Sequence, residues 1–175
     1  MYGHTTNREN RNPRDTYPTP PEFVDVLLRN TDLDPDLPVV DFAVELEVGA
    51  TLAPVFEEQG FQAQSVERDY FSFDAGEYGS HHHLTNPPYK FFTEWARKAL
   101  QETPDGVVAL LGPMHSLGGA KRHWKLWDEH PPSKVVVVVD RMRLPGGPSQ
   151  YNHIWYIWEP DRLGECELRW DYAYQ

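Results

Sequence analysis

Cysteine is nearly absent from this 175-residue sequence, and Cys166 alone excludes an internal disulfide framework and any zinc site built on thiolates. No apolar run approaches the ~20 residues that a bilayer span needs, and the N-terminus is polar, unlike a signal peptide. These absences point to a soluble protein in a reducing, cytoplasmic compartment. Positive charge is also scarce. Sixteen Lys and Arg face 27 Asp and Glu, and the net −11 argues against a nucleic-acid binder that relies on bulk electrostatics. Internal repeats are missing as well. What remains is 39% hydrophobic and 13% aromatic, enough to bury one core in one domain.

The charge is uneven. Residues 22–77 hold 14 acidic and 2 basic side chains, whereas 78–144 hold 6 acidic and 9 basic. An anionic partner is therefore expected at the face built from 78–144. The acidic half either keeps the protein soluble or binds a basic protein.

Residues 1–16 lack apolar periodicity and read as a flexible arm, which leaves 17–175 as the domain. Tyr17-Pro18-Thr19-Pro20-Pro21 is a rigid extended stretch. Thr19 is the expected N-cap, with Glu22 its capping-box partner, of a helix carrying Phe23, Val26 and Leu27. Strands are expected at 39–43, 61–66, around Leu84, and at 107–111, 135–139 and 154–158. Helices are expected at 51–59, stopped by Gly60, and at 91–101 and 120–129. This alternation and the run Val135–Val139 imply an α/β domain with a mostly parallel sheet covered on both faces. Ligands of such sheets bind beyond the carboxyl ends of the strands, where Asp41, Glu67 and Asn86 fall.

Asn86-Pro87-Pro88-Tyr89, directly after a strand, carries the strongest chemical signal. An asparagine amide oxygen and the carbonyl of Pro87 can both accept hydrogen bonds from a planar exocyclic amino group. That arrangement holds the nitrogen lone pair toward an electrophilic methyl and helps shed a proton. Pro87 and Pro88 fix the backbone so that the acceptors converge, and Tyr89 can stack on a flat base. Read structurally, the same tetrapeptide is a rigid strand-to-helix turn.

These four residues resemble the catalytic motif of S-adenosylmethionine-dependent amino-methyltransferases, especially phage-type DNA N6-adenine methyltransferases. The resemblance spans about 17–160. Tyr17, Thr19 and Pro20 look like the family's N-terminal cofactor-flanking segment, and Glu67 is similar to its ribose-holding acid. Asp69 or Asp74 matches an acid near the cofactor adenine. The resemblance implies a single Rossmann-like class I methyltransferase domain with a seven-stranded sheet. It also implies S-adenosylmethionine as cofactor, DNA as partner, and the host cytoplasm as location if the chain is phage-encoded.

Two departures accompany it. The family follows its first strand with a glycine-rich turn, whereas Asp41-Phe42-Ala43-Val44-Glu45-Leu46-Glu47-Val48-Gly49 holds one glycine. Asp41, Ala43 and Gly49 are the cofactor-loop candidates, with Glu45 or Glu47 as an alternative acid. Nor is there a long insertion for reading DNA sequence, which implies low sequence specificity or help from a partner.

Lys90, His115, Lys121 and Arg122 are the substrate-side candidates. Lys121, Arg122 and Lys125 interleave with Trp124 and Trp127, either as a phosphate-contacting helix or as an amphipathic one whose tryptophans pack on the sheet. His81, His82 and His83 read as core and rim histidines, since adjacent strand residues point to opposite faces; no metal is expected. Trp155 and Trp158 are expected in the core on opposite faces, and Cys166 carries no assigned chemistry. The expected function is adenine N6-methyl transfer. The alternative is a catalytically inactive relative acting as a protein-binding or inhibitory module.

Overall fold

The computed structural model describes residues 19–43, 52–144, 147–162 and 166–174. The arm 1–16, Tyr17 and the segment holding Glu45, Glu47 and Gly49 lie outside the described residues. In chain order the elements are α1 (Pro21–Asn30), β1 (Val39–Asp41), α2 (Ala53–Glu58), β2 (Ala63–Ser65), β3 (His82–Thr85) and α3 (Phe92–Glu102). They continue with β4 (Val108–Pro113), α4 (Ala120–Arg122), β5 (Lys134–Val138), β6 (Arg143–Leu144), β7 (Gly147–Pro148), β8 (His153–Trp158) and β9 (Glu167–Asp171).

Seven strands form one mixed sheet in the order β2-β1-β3-β4-β8-β5-β9, and β6 pairs with β7 in a separate small hairpin. All neighbours are parallel except at β8, which runs antiparallel to both β4 and β5. The protein is thus α/β with a mostly parallel seven-stranded sheet. The seventh strand is one the sequence reading lacks. Glu-Leu-Arg-Trp-Asp alternates charge with apolar residues, and only pairing to β5 makes it a strand.

Strand alternation sends consecutive residues into two cores. Val39, Ala109, Leu111, Val136, Val138, Trp155 and Ile157 pack with α1 and α2. Val40, Val108, Leu110, Val135, Val137, Ile154 and Tyr156 pack with α3 and Leu126. Trp155 and Trp158 fall in different cores, as expected. At Gly106 a Cβ would stand 1.7 Å from the His81 carbonyl, so only glycine lets the chain enter β4 beside β3. Gly60 ends α2 at φ 91°, the left-handed conformation that stops a helix.

Two local expectations fail. The N-cap of α1 is Pro20, with no side-chain cap, because the Pro20-Pro21 pair already sets extended and then helical backbone. The expected 120–129 helix is α-helical only at α4 and then π-helical over His123–Trp127, where Asp128 N–H donates to the His123 carbonyl. The wider turn buries Leu126 and stacks Trp127 on Tyr156 at 5.4 Å, but leaves Trp124 67% exposed. Only one of the two tryptophans packs on the sheet.

Candidate functional site

The carboxyl ends of β1, β3 and β4 and the amino end of antiparallel β8 make one rim. Asp41 is the last residue of β1, Thr85 the last of β3, and Pro113 of β4 pairs in register with His153 of β8. Asn86–Tyr89 follow Thr85 directly and lead into α3. The motif therefore stands at the strand end that its sequence position implied.

Asp41 is buried and fully engaged. Its Oδ1 accepts from the Thr85 hydroxyl and from Ala43 N–H (3.1 Å), and its Oδ2 accepts from Leu52 N–H (3.2 Å). Ala43 N–H also reaches Thr85 Oγ1 at 3.2 Å. One carboxylate thus ties together both ends of the β1–α2 connection and the strand that bears the motif. Burial raises its pKa, and the bonds from Thr85, Ala43 and Leu52 oppose that rise. Asp41 is a positioning group beneath the rim.

Asn86 Nδ2 donates to Thr19 Oγ1 at 3.1 Å. The hydroxyl expected to cap α1 instead orients the motif asparagine. Tyr89 is 9% exposed, and its ring tilts at 53° against His153, 5.9 Å between centroids. His153 also meets Phe23 at 6.1 Å. Burial, with His115 nearby, pushes His153 down to about 4, so the ring beside Tyr89 is neutral at pH 7. Sequence reasoning missed both Thr85 and His153. A threonine directly before the motif was a usable signal for the first. His153 carried none, because only the antiparallel sense of β8 brings its first residue to the rim.

Glu67 is exposed just beyond β2, and Asp69 and Asp74 accept from Phe71 N–H and Gly76 N–H to start short 3₁₀ turns. β1 lies between β2 and β3, so Glu67 and Asn86 flank its end at a spacing of about 9–10 Å, two strand widths. Behind them stands an aromatic floor. Phe42 packs on His83 (4.8 Å) and Tyr70 (5.4 Å), and Tyr70 stacks on Trp95 (4.3 Å).

The substrate-side candidates diverge. Lys90 is exposed, with its ammonium 4.7 Å from the Phe91 ring centre. His115 is exposed against Tyr151, and Lys121 is exposed on α4. Arg122 holds Thr93 Oγ1 and the carbonyls of Ser116 and Gly118. Its guanidinium therefore staples the 114–119 turn to α3.

The three histidines are structural. His81 donates from Nδ1 to the Gly79 carbonyl and accepts from Thr103. His82 accepts from Val107 N–H and donates to the Asp34 carbonyl, and His83 accepts from the Trp95 indole. Burial lowers the pKa of all three, so they stay neutral. No group of three or more His, Cys, Asp or Glu arranged to hold a metal occurs among the described residues. Likewise, none of their helices is long and apolar enough to cross a membrane.

A cavity of about 970 Å³ lies at the opposite end of the sheet, by Thr103, Pro104, Gly106, Pro131 and Trp158. Its cations Arg97 and Lys98 are paired with Glu129 and Glu102. Arg162, also on its lining, is likewise paired, with Glu159, so its three Lys and Arg side chains are all neutralised within the chain, and it is the weaker candidate despite its volume. No protein-family model and no curated protein matches the chain.

Proposed function

We propose that this chain is an S-adenosylmethionine-dependent methyltransferase-fold protein that methylates the N6 amino group of adenine in DNA. The observation that carries the reading is Asn86-Pro87-Pro88-Tyr89 at the carboxyl end of β3, with Asn86 oriented by Thr19. The residues fit the cofactor in part. Exposed Glu67 offers acceptors suited to a ribose diol, and Asp41 closes the connection beside it. When bound, the cofactor supplies an electrophilic methyl on a sulfur leaving group. The Asn86 amide oxygen and the Pro87 carbonyl accept from the adenine amino group and aim its lone pair. They also stabilise the positive charge that develops there before one proton leaves. Tyr89 provides the stacking surface. At 9% exposure its ring accepts a base only after a neighbouring side chain moves aside.

Calorimetric titration with S-adenosylmethionine, followed by assay of adenine methylation on DNA, tests the reading. Micromolar binding, about −8 kcal/mol, is expected. Asn86→Ala should abolish methylation while leaving cofactor binding unchanged and the fold intact. Full activity of Asn86→Ala overturns the mechanism.

One observation favours a second reading. Asp32, Asp36, Glu57, Glu58 and Glu67 are exposed in a segment, 22–77, with 14 acidic and 2 basic residues, a charge suited to a basic protein partner. A folded protein with no heat at millimolar cofactor and one dominant basic partner in a pull-down favours that non-catalytic role.

A further inference from the structure

Strand β9 carries its polarity in the opposite sense to an ordinary edge strand. Its charged residues lie toward α1, where Asp171 accepts from Arg29 and from Asn30. Its apolar residues lie on the other face. Leu168 is in register with Val135 and Trp170 with Val137, and both valines belong to the core under α3. The valines are covered, whereas Leu168, Trp170 and Tyr172 are 50%, 64% and 50% exposed. Three large apolar side chains in alternate positions form a stripe that no described residue buries.

The backbone along this stripe is open too. Glu167 N–H donates to the Ser133 carbonyl, and the Asp171 carbonyl accepts from Val139 N–H. Alternation therefore turns the N–H and C=O of Leu168 and Trp170 outward, away from β5. Among the described residues β9 is the last strand on its side of the sheet. An open edge beside an apolar stripe is the surface to which another strand adds.

The charge pattern selects the occupant. When β9 is laid antiparallel on a second β9 with Trp170 opposite Trp170, Leu168 meets Tyr172 on the apolar face. On the other face Arg169, paired with Glu167 in its own copy, meets Asp171, paired with Arg29 in its own, opposite in sign in both directions. Centring on Arg169 would oppose Arg169 to itself and Glu167 to Asp171. Centring on Asp171 would oppose the two Asp171. Centring on Leu168 matches Glu167 with Arg169, but it sets Trp170 against Cys166 and leaves Tyr172 outside the pairing. Only the Trp170-centred register satisfies charge and stripe together. It also places outward-facing Trp170 in a hydrogen-bonded pair, as the ladder requires.

We propose that β9 is a self-association edge through which two copies of this chain join antiparallel, centred on Trp170, into one continuous sheet. The inference is independent of the proposed activity. Analytical ultracentrifugation of the full chain from about 1 to 200 µM, a range that spans micromolar affinities, should show a monomer–dimer equilibrium. Trp170→Lys and Arg169→Glu should each raise the dissociation constant at least ~10-fold. Trp170 is exposed, so Trp170→Lys should leave melting unchanged, whereas Arg169→Glu also gives up bonds to Glu167 and Asn30 within one copy. The register has its own readout. In a Cys166→Ser background, Trp170→Cys should cross-link on oxidation, because a hydrogen-bonded antiparallel pair sets Cα atoms ~5.5 Å apart, within disulfide reach. Leu168→Cys should not. A wild-type monomer at the highest concentration overturns the proposal, as does a dimer that Trp170→Lys and Arg169→Glu leave intact. Cross-linking by Leu168→Cys in place of Trp170→Cys overturns the register.

Discussion

The two halves of the sheet are built differently. β1, β2 and β3 span only three or four residues each, and their buried positions include Asp41, His82, His83 and Thr85. β4, β8 and β5 span five or six residues and are almost wholly apolar. In the first half Asp41, His82 and Thr85 are tied to partners from other elements, and Asn86 is itself held by a residue 67 positions away. In the second half stability comes from surface removed from water. The candidate site stands where these two constructions meet. Polar groups give position, and the apolar half supplies the rigidity that keeps the position fixed.

Variants in each half should separate the two roles. Trp155 is fully buried and its indole donates to the Phe23 carbonyl at 2.8 Å, so Trp155→Ala should cost about 4 kcal/mol by cavity formation. Urea denaturation measures this, and a loss under about 1 kcal/mol would show that the apolar half is not the scaffold.

Acid should act through the buried imidazoles. His153 titrates at about 4 in the folded protein against 6.5 unfolded, so the unfolded chain binds the extra proton between those values. Stability is then complete above pH 6.5 and falls as pH drops toward 4, by roughly 3 kcal/mol for this one group. His81, His82 and His83 are shifted in the same direction and add to the fall. Melting curves across this range should show a smaller fall for His153→Gln than for wild type.

Asp41→Ala takes the acceptor from Leu52 N–H and from the Thr85 hydroxyl, leaves Ala43 N–H only its bond to Thr85 Oγ1, and should cost about 2 kcal/mol. Hydrogen exchange at the Ala43 and Leu52 amides should quicken as well. Unchanged exchange there would show that Asp41 does not hold the connection. Thr19→Val removes one bond to Asn86 and should move stability by less than about 1 kcal/mol. Methylation by Thr19→Val should nonetheless fall about 10-fold, the effect of misorienting one acceptor. Smallest of all, Arg68→Ala breaks a half-exposed, solvent-screened pair with Glu77 and should leave the melting temperature nearly unchanged.

Much of the first construction was readable in the chain, residue by residue. Val39–Asp41, Gly60 and the motif at Asn86 declare themselves locally, through periodicity, a glycine stop or a rigid turn, as does the valine run of the apolar half. The second strand of the site was readable only as an acid at a strand end. That Asp41 would bind Thr85 and Leu52 rather than a ligand depends on contacts across 44 and 11 positions. Trp124 and Trp127 read alike in sequence, and a π turn separated them into solvent and core. Thr19 read as a helix cap because local chemistry allowed it, and a side chain 67 residues away claimed its hydroxyl.

The sequence by itself determined the α/β class, the order of most elements and the place of Asn86–Tyr89 at a strand end. Those properties follow from short-range periodicity and backbone restriction, which neighbouring residues specify. Only the tertiary structure decided that β8 runs antiparallel between β4 and β5, that His153 reaches the rim, and that β9 closes the sheet with its apolar face outward. Strand partners and their sense are chosen by contacts between distant segments, and an alternating strand such as β9 shows its open face only when its neighbour is known.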